Sequence, residues 1–283
     1  MKCFYHRADH DGKLSAAIVL RKHPQCKLIG VDYYDGVIPS LLCEDNEDVF
    51  VVDFSFEPFA LMVDLAKKTN LVWIDHHTSS FNKFKINESN LEKVTAIISQ
   101  DDSAACELTW MHLFPDMAMP PIVHLLGRYD AWDHSDPDVV PFEYYMRSVN
   151  PTVEQLVNLM KMNDAEIKDC VKLGMAISSY LDSDAVKYNN EYAFNLEFEG
   201  IKFLAINRAF LNSNFYVSRK DYHQAGMSFV YSGNKWTFSL RSFDPDVDVA
   251  KIAERFGGGG HKSAAGFAMK KLNVKLRDAI FGY

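Results

Sequence analysis

The chain has 283 residues, 48% of them hydrophobic, a formal net charge of −8, and no apolar run approaching the ~18 residues that a membrane-spanning helix needs. Cys3, Cys26, Cys43, Cys106 and Cys170 include no Cys-x-x-Cys pair, which argues against a disulfide framework and a thiolate zinc site. The acidic balance argues against coating of long nucleic acid, and no basic-then-apolar leader opens the chain, so a soluble, unexported, cytoplasmic protein of two domains is expected.

In chain order, apolar runs at 2–5, 49–52 and 71–74 read as strands, with a further apolar run at 27–31. Between them, 12–22 and 57–66 carry apolar residues at the spacing of amphipathic helices, Pro58 standing near a helix start where its missing N–H costs nothing. Strands alternating with helices predict an α/β domain, a largely parallel sheet with helices on both faces. Helical patterns continue at 103–114, 121–129, 152–162 and 164 to about 191, the last two reading as a connector. Strand-like runs at 194–198, 201–207, 227–231 and 236–241, with Glu199-Gly200 and Ser232-Gly233-Asn234 as turn signals, predict a smaller α+β domain. The expected division is 1–150, 151–191 and 192–283.

Charge follows that division. Residues 194–283 hold 13 Lys and Arg against 8 Asp and Glu, a net of +5, which leaves −13 for 1–193. An acidic first part suits cation binding and a basic second part suits phosphate, although ordinary solvated surfaces give the same split.

The informative pattern is where acids and histidines fall. The first strand runs into His6-Arg7-Ala8-Asp9-His10-Asp11-Gly12, another into Asp53, and a third into Asp75-His76-His77. In an open α/β sheet the carboxyl ends of the strands form the ligand-binding edge, so these groups are expected to converge. Taken singly, Asp9 and Asp53 also read as caps of the helices that follow them. Taken together, the carboxylates would repel one another unless cations lie between them. Oxygen ligands with a minority of imidazoles favour manganese or magnesium, with cobalt or zinc also able to occupy such a site.

These segments, in this order, resemble the first three motifs of the DHH phosphoesterases, and Gly127-Arg128-Tyr129-Asp130 resembles the fourth, with Asp133 as the alternative acid. Near the carboxyl end, Ser239-Leu240-Arg241-Ser242 and the run Gly257-Gly258-Gly259-Gly260-His261 resemble the arginine and glycine-histidine motifs of the DHH-associated carboxyl-terminal domain. Glycines without side chains let backbone N–H groups approach an anion, although a glycine run is also an ordinary flexible turn.

The resemblance implies two divalent cations, manganese preferred, with His6, Asp9 and Asp53 at one and Asp11, Asp53, His76 and Asp130 at the other. It implies Asp75 orienting a neighbouring histidine and His77 on the substrate side, a lone structural histidine being the alternative. Arg241, Gly258, Gly259, Gly260 and His261 would grip the substrate. The implied reaction is hydrolysis of phosphodiester bonds in short oligonucleotides. A cyclic-dinucleotide phosphodiesterase, a 3′-phosphoadenosine-5′-phosphate phosphatase and a polyphosphate hydrolase are the alternatives, and a nucleotide-binding regulatory protein is the non-enzymatic one. No membrane or long duplex partner is expected; a homodimer is compatible with this reading.

Overall fold

The computed structural model describes residues 1–33, 35–99, 101–209, 211, 215–216 and 222–282, the side chain of His261 lying outside the described ones. The chain divides into two compact units, Met1–Ser178 and Ser179–Tyr283.

In the first unit, β1 (Lys2–His6), β2 (Lys27–Val31), β3 (Asp48–Val52), β4 (Asn70–Asp75) and β5 (Thr95–Ile98) form one sheet in the order β2-β1-β3-β4-β5. Every neighbouring pair is parallel. Parallel neighbours require crossovers, and α1 (His10–Lys22), α2 (Ala60–Lys68) and α3 (Thr78–Ile86) supply three of them. Further helices follow: α4 (Ala105–Leu113), α5 (Pro121–Asp130), α6 (Val139–Val149) and α7 (Val153–Leu159).

Both faces of this sheet are covered, which is why its strands are apolar runs rather than alternating patterns. Cys3, Phe50, Val52 and Ile74 pack with Leu14 and Ile18 of α1, Trp110 of α4 and Leu156 of α7. Phe4, Val49, Val51, Leu71 and Trp73 pack with Met62 and Leu65 of α2 and with Phe54 and Phe56. Trp73 is fully buried, and its indole N–H donates to the Phe54 carbonyl at 2.9 Å, meeting the one polar requirement of that side chain.

The second unit carries β6 (Phe194–Phe198), β7 (Ile201–Asn207), β8 (Ala225–Tyr231), β9 (Trp236–Ser242), β10 (Gly259–His261) and β11 (Ala264–Met269). The sheet order is β10-β11-β9-β8-β7-β6, with β7 and β8 parallel and the other pairs antiparallel. Phe203, Met227, Phe238, Leu240 and Phe267 form its core with Ile252 of α9 (Val249–Arg255) and Leu276 of α10 (Val274–Phe281). The 29-residue α8 (Asp164–Tyr192) runs across the division: Ile167, Cys170 and Val171 join the first core, and Ala185 joins Leu204, Ile206 and Tyr216 in the second unit. Among the described residues no helix is long and apolar enough to cross a membrane.

Candidate metal centre

Because β1, β3 and β4 are parallel neighbours, their carboxyl ends lie side by side. His6 closes β1, Asp53 follows β3, and Asp75 closes β4 with His76 and His77 next. Gly12 brings α1 close to β1. A Cβ built there would lie 2.1 Å from the His6 carbonyl oxygen, so only glycine lets the helix start, and with it Asp9 and Asp11, sit against the strand end.

Three overlapping groups result, each with ligand atoms within 4.8 Å of one another: His6, Asp9 and Asp53; Asp11, His76 and Asp130; and Asp53, His76 and His77. His6 Nδ1 is 2.7 Å from Asp9 Oδ2 and 3.6 Å from Asp53 Oδ2. His76 Nε2 is 3.1 Å from Asp130 Oδ2, 3.5 Å from Asp53 Oδ1 and 3.7 Å from Asp11 Oδ2. Yet His6 Nδ1, His76 Nε2 and Asp53 Oδ1 are buried without an aligned hydrogen bond. Buried polar atoms of a folded protein are almost always paired, so atoms that crowd together and stay unpaired mark a place for something that accepts all their lone pairs. The donors are oxygens and imidazole nitrogens with no thiolate, the set that suits a divalent cation such as manganese or magnesium.

The electrostatics point the same way. Burial, then Asp53 and Asp130, push the Asp11 carboxyl well above the usual carboxylate range. Burial and then Asp9 raise Asp53. Burial would lower His76, but Asp130 and Asp53 hold it up at about 12; burial would likewise lower His6, which Asp53 and Asp9 hold at about 10. Without cations the centre draws in protons to balance its carboxylates.

The helix-cap readings separate here. Asp9 does cap α1, its Oδ1 accepting from Gly12 N–H at 3.0 Å while Oδ2 faces His6. Asp53 does not cap α2, which begins only at Ala60 with Phe59 as its N-cap. Its backbone is left-handed (φ +52), a conformation that aspartate tolerates better than most residues, and its N–H donates to the Ile74 carbonyl at 2.9 Å. At the fourth segment Asp130 reaches His76, while the Asp133 carboxylate lies 3.7 Å from Arg128 and accepts from Ser135 N–H.

Asp75 is fully buried. Its Oδ1 accepts from His77 Nδ1 at 2.7 Å and from the main-chain N–H of His76 and His77, and its Oδ2 from Ser80 at 2.7 Å. Burial would raise it, but these bonds, His77 foremost, hold it below the usual range, and in turn Asp75 holds His77 at about 9 against the burial that would lower it.

Several positioning groups escaped the residue pattern. The N–H groups of Ala105 and Cys106, at the start of α4, donate to Oδ2 and Oδ1 of Asp11 at 2.9 and 2.7 Å. His10 Nδ1 is 2.9 Å from Glu143 Oε2, whose other oxygen accepts from Arg147 at 2.7 Å. Glu107 binds Arg128 and accepts from Ala104 N–H, tying the start of α4 to the end of α5. Backbone donors carry no residue signature, although Glu107 three residues past Ala104 is the spacing of a helix start.

In the second unit Arg241 lies on β9, half-buried, its Nη1 donating to the Leu240 carbonyl at 3.0 Å, and burial lowers its pKa. Register places Arg241, Ala264 and His261 in one row across β9, β11 and β10. The glycine run is only partly an open turn. Gly259 and Gly260 belong to β10, and a Cβ on Gly258 would lie 2.1 Å from the Gly266 carbonyl oxygen, so close strand approach accounts for part of the run.

A DHHA1 domain profile matches residues 214–280. An uncharacterized protein of Acanthamoeba polyphaga mimivirus is 25% identical over 236 residues, 80% of this chain but 54% of that protein, so the chain spans about half the length of this curated relative. Among solved structures, a pGpG-specific phosphodiesterase, PggH, from Vibrio cholerae has a TM-score of 0.56 at 14% identity, covering 99% of this chain and 94% of that one. An exopolyphosphatase-related protein from Bacteroides fragilis gives 0.55 at 14% identity, covering 99% and 90%. RecJ from Thermus thermophilus, solved with Mn2+, gives 0.53 at 16% identity, covering 95% of this chain and 49% of that one. At these identities the likeness shows a shared fold.

Proposed function

We propose that the chain, whose residues 214–280 match a DHHA1 domain, is a phosphoesterase of the DHH family that hydrolyses phosphodiester bonds of short oligonucleotides at a centre of two divalent cations, manganese preferred. The observation that carries this reading is the convergence of His6, Asp9 and Asp53 on one side and Asp11, His76 and Asp130 on the other, with Asp53 also beside His76. Asp53 is assigned to both cations, Asp11, His76 and Asp130 to one, and His6 and Asp9 to the other. When bound, the cations would supply a water of lowered pKa and neutralise charge that develops on the phosphate.

The chain's own residues do the rest. The α4 N-terminus fixes both oxygens of Asp11 through Ala105 and Cys106, and the Glu143 carboxylate holds His10 between Asp9 and Asp11. Held through its Nδ1 by Asp75 at 2.7 Å, His77 is assigned to a phosphate oxygen of the substrate. Arg241, Gly258, Gly259, Gly260 and His261 are assigned to substrate phosphate, a charge-assisted contact in the case of Arg241.

The likeness to a pGpG-specific phosphodiesterase makes a linear dinucleotide the first compound to test. Chelated protein resupplied with manganese is expected to release mononucleotides from it, faster than it hydrolyses cyclic dinucleotides, 3′-phosphoadenosine-5′-phosphate or polyphosphate. Absence of turnover on the whole panel would overturn the enzymatic reading and leave nucleotide binding alone.

A further inference from the structure

Helix α5 ends on a residue that its backbone does not favour. Asp133 N–H donates to the Arg128 carbonyl at 2.9 Å and Trp132 N–H to the Tyr129 carbonyl at 3.2 Å, the paired bonds of a helix end that closes through one left-handed residue. Glycine is the usual occupant of that position because it has no Cβ to clash. Here the occupant is Trp132, at φ +61. The strain is not offset by burial, since 59% of Trp132 is exposed. Bulky residues held in this region cluster where function requires them.

The ring is also backed. Its centroid is 4.7 Å from that of His134, which stacks on Tyr129 at 5.3 Å, and Arg147 lies over the Tyr129 ring at 5.3 Å. Asp130, two residues earlier, is 3.1 Å from His76 and belongs to the metal centre. A second ring, Tyr33, 42% exposed, has its centroid 5.7 Å from that of His6. A centre for inorganic phosphate chains has no use for exposed indole beside its ligands, whereas every nucleobase offers a face that stacks on it.

We propose that Trp132 is a base platform: the exposed indole stacks on a nucleobase of the substrate, selecting phosphodiesters that carry bases. The inference rests on the phosphoesterase reading and narrows its substrate class.

The test uses the full chain loaded with manganese, a dinucleotide, and the same dinucleotide with its bases removed. Wild type is expected to prefer the dinucleotide by ~10- to 100-fold in kcat/KM, the range of one stacked base. Trp132→Gly, which suits the left-handed backbone and should therefore fold, is expected to bring that ratio close to one; Trp132→Phe, which keeps an aromatic face, should retain most of it. Dinucleotide binding should quench tryptophan emission in wild type and much less in Trp132→Phe, because Trp73 and Trp110 are buried and Trp236 is packed against the core of the second unit. An unchanged preference in Trp132→Gly would overturn the platform while leaving the phosphodiesterase reading intact. Saturable quenching that is lost in Trp132→Phe, from a wild-type chain that hydrolyses neither compound, would support the platform and overturn the hydrolase reading.

Discussion

Asp53→Asn removes one negative charge and almost no volume from the point where the proposed cation sites meet. Asp53 is 1% exposed, and its oxygens lie 3.6 Å from His6, 3.5 Å from His76 and 3.7 Å from His77. In the metal-free protein burial and Asp9 make this carboxylate costly, so the variant should melt at the same temperature as wild type or higher. With cations the sign reverses. A ligand at 100 times its Kd stabilises by about 2.7 kcal/mol per site, about 5.4 kcal/mol for two. In a unit of this size 1 kcal/mol moves Tm by ~2–4 °C, so saturating manganese should raise wild type by roughly 10–20 °C. The variant should gain half of that at most. Turnover should fall by more than the ~10–100-fold that loss of an outer hydrogen-bond partner of a metal ligand costs. Scanning fluorimetry with and without manganese, elemental analysis of bound metal and dinucleotide turnover measure the three quantities. A variant that keeps two metals per chain and wild-type turnover would refute the bridging assignment.

Exhaustive chelation should abolish hydrolysis, manganese should restore it, and magnesium should restore less; full activity after chelation would exclude a metal mechanism. Binding of manganese at pH 7 should release protons, because in metal-free protein the carboxylates hold His6 and His76 at about 10 and 12 against the lowering effect of burial. Affinity should therefore rise with pH through the neutral range; calorimetry in two buffers of different ionisation enthalpy counts the protons, and a count of zero contradicts the ligand set. Gly12→Ala places a methyl 2.1 Å from the His6 carbonyl oxygen, so it should cost ~1–3 kcal/mol by denaturant unfolding and weaken metal binding. Arg241→Ala should raise KM for the dinucleotide and leave metal content unchanged; loss of metal would show that Arg241 does not serve the substrate.

How far the fold was legible depended on what each element buries. β1, β3 and β4 are buried on both faces and therefore read as apolar runs, whereas β5 is a four-residue edge strand, exposed at Thr95 and half-buried from Ala96 to Ile98, and shows no such run. Helix α3 buries only Ser80 and so shows no apolar stripe, and α6 is interrupted in pattern by Pro141 and its run of aromatics. In the second unit the glycine run reads as a loop open to an anion, or as a flexible turn, because sequence does not reveal a neighbouring strand; the Gly266 carbonyl beside Gly258 does.

The converging acids and histidines were legible for a topological reason: in a parallel sheet every strand delivers its last residues to the same edge, so an acid after each apolar run is a spatial statement. What holds them was not legible, and Asp11 shows why. Its two oxygens accept N–H groups from a helix start more than ninety residues along the chain, donors that any residue type would supply. Those bonds favour the ionised carboxylate, yet burial, Asp53 and Asp130 still leave its pKa well above the usual range. The helix end is therefore enough to orient Asp11 and not enough to neutralise it. Cations held between Asp11, Asp53 and Asp130 would supply the positive charge that protons on His6 and His76 supply in the metal-free protein.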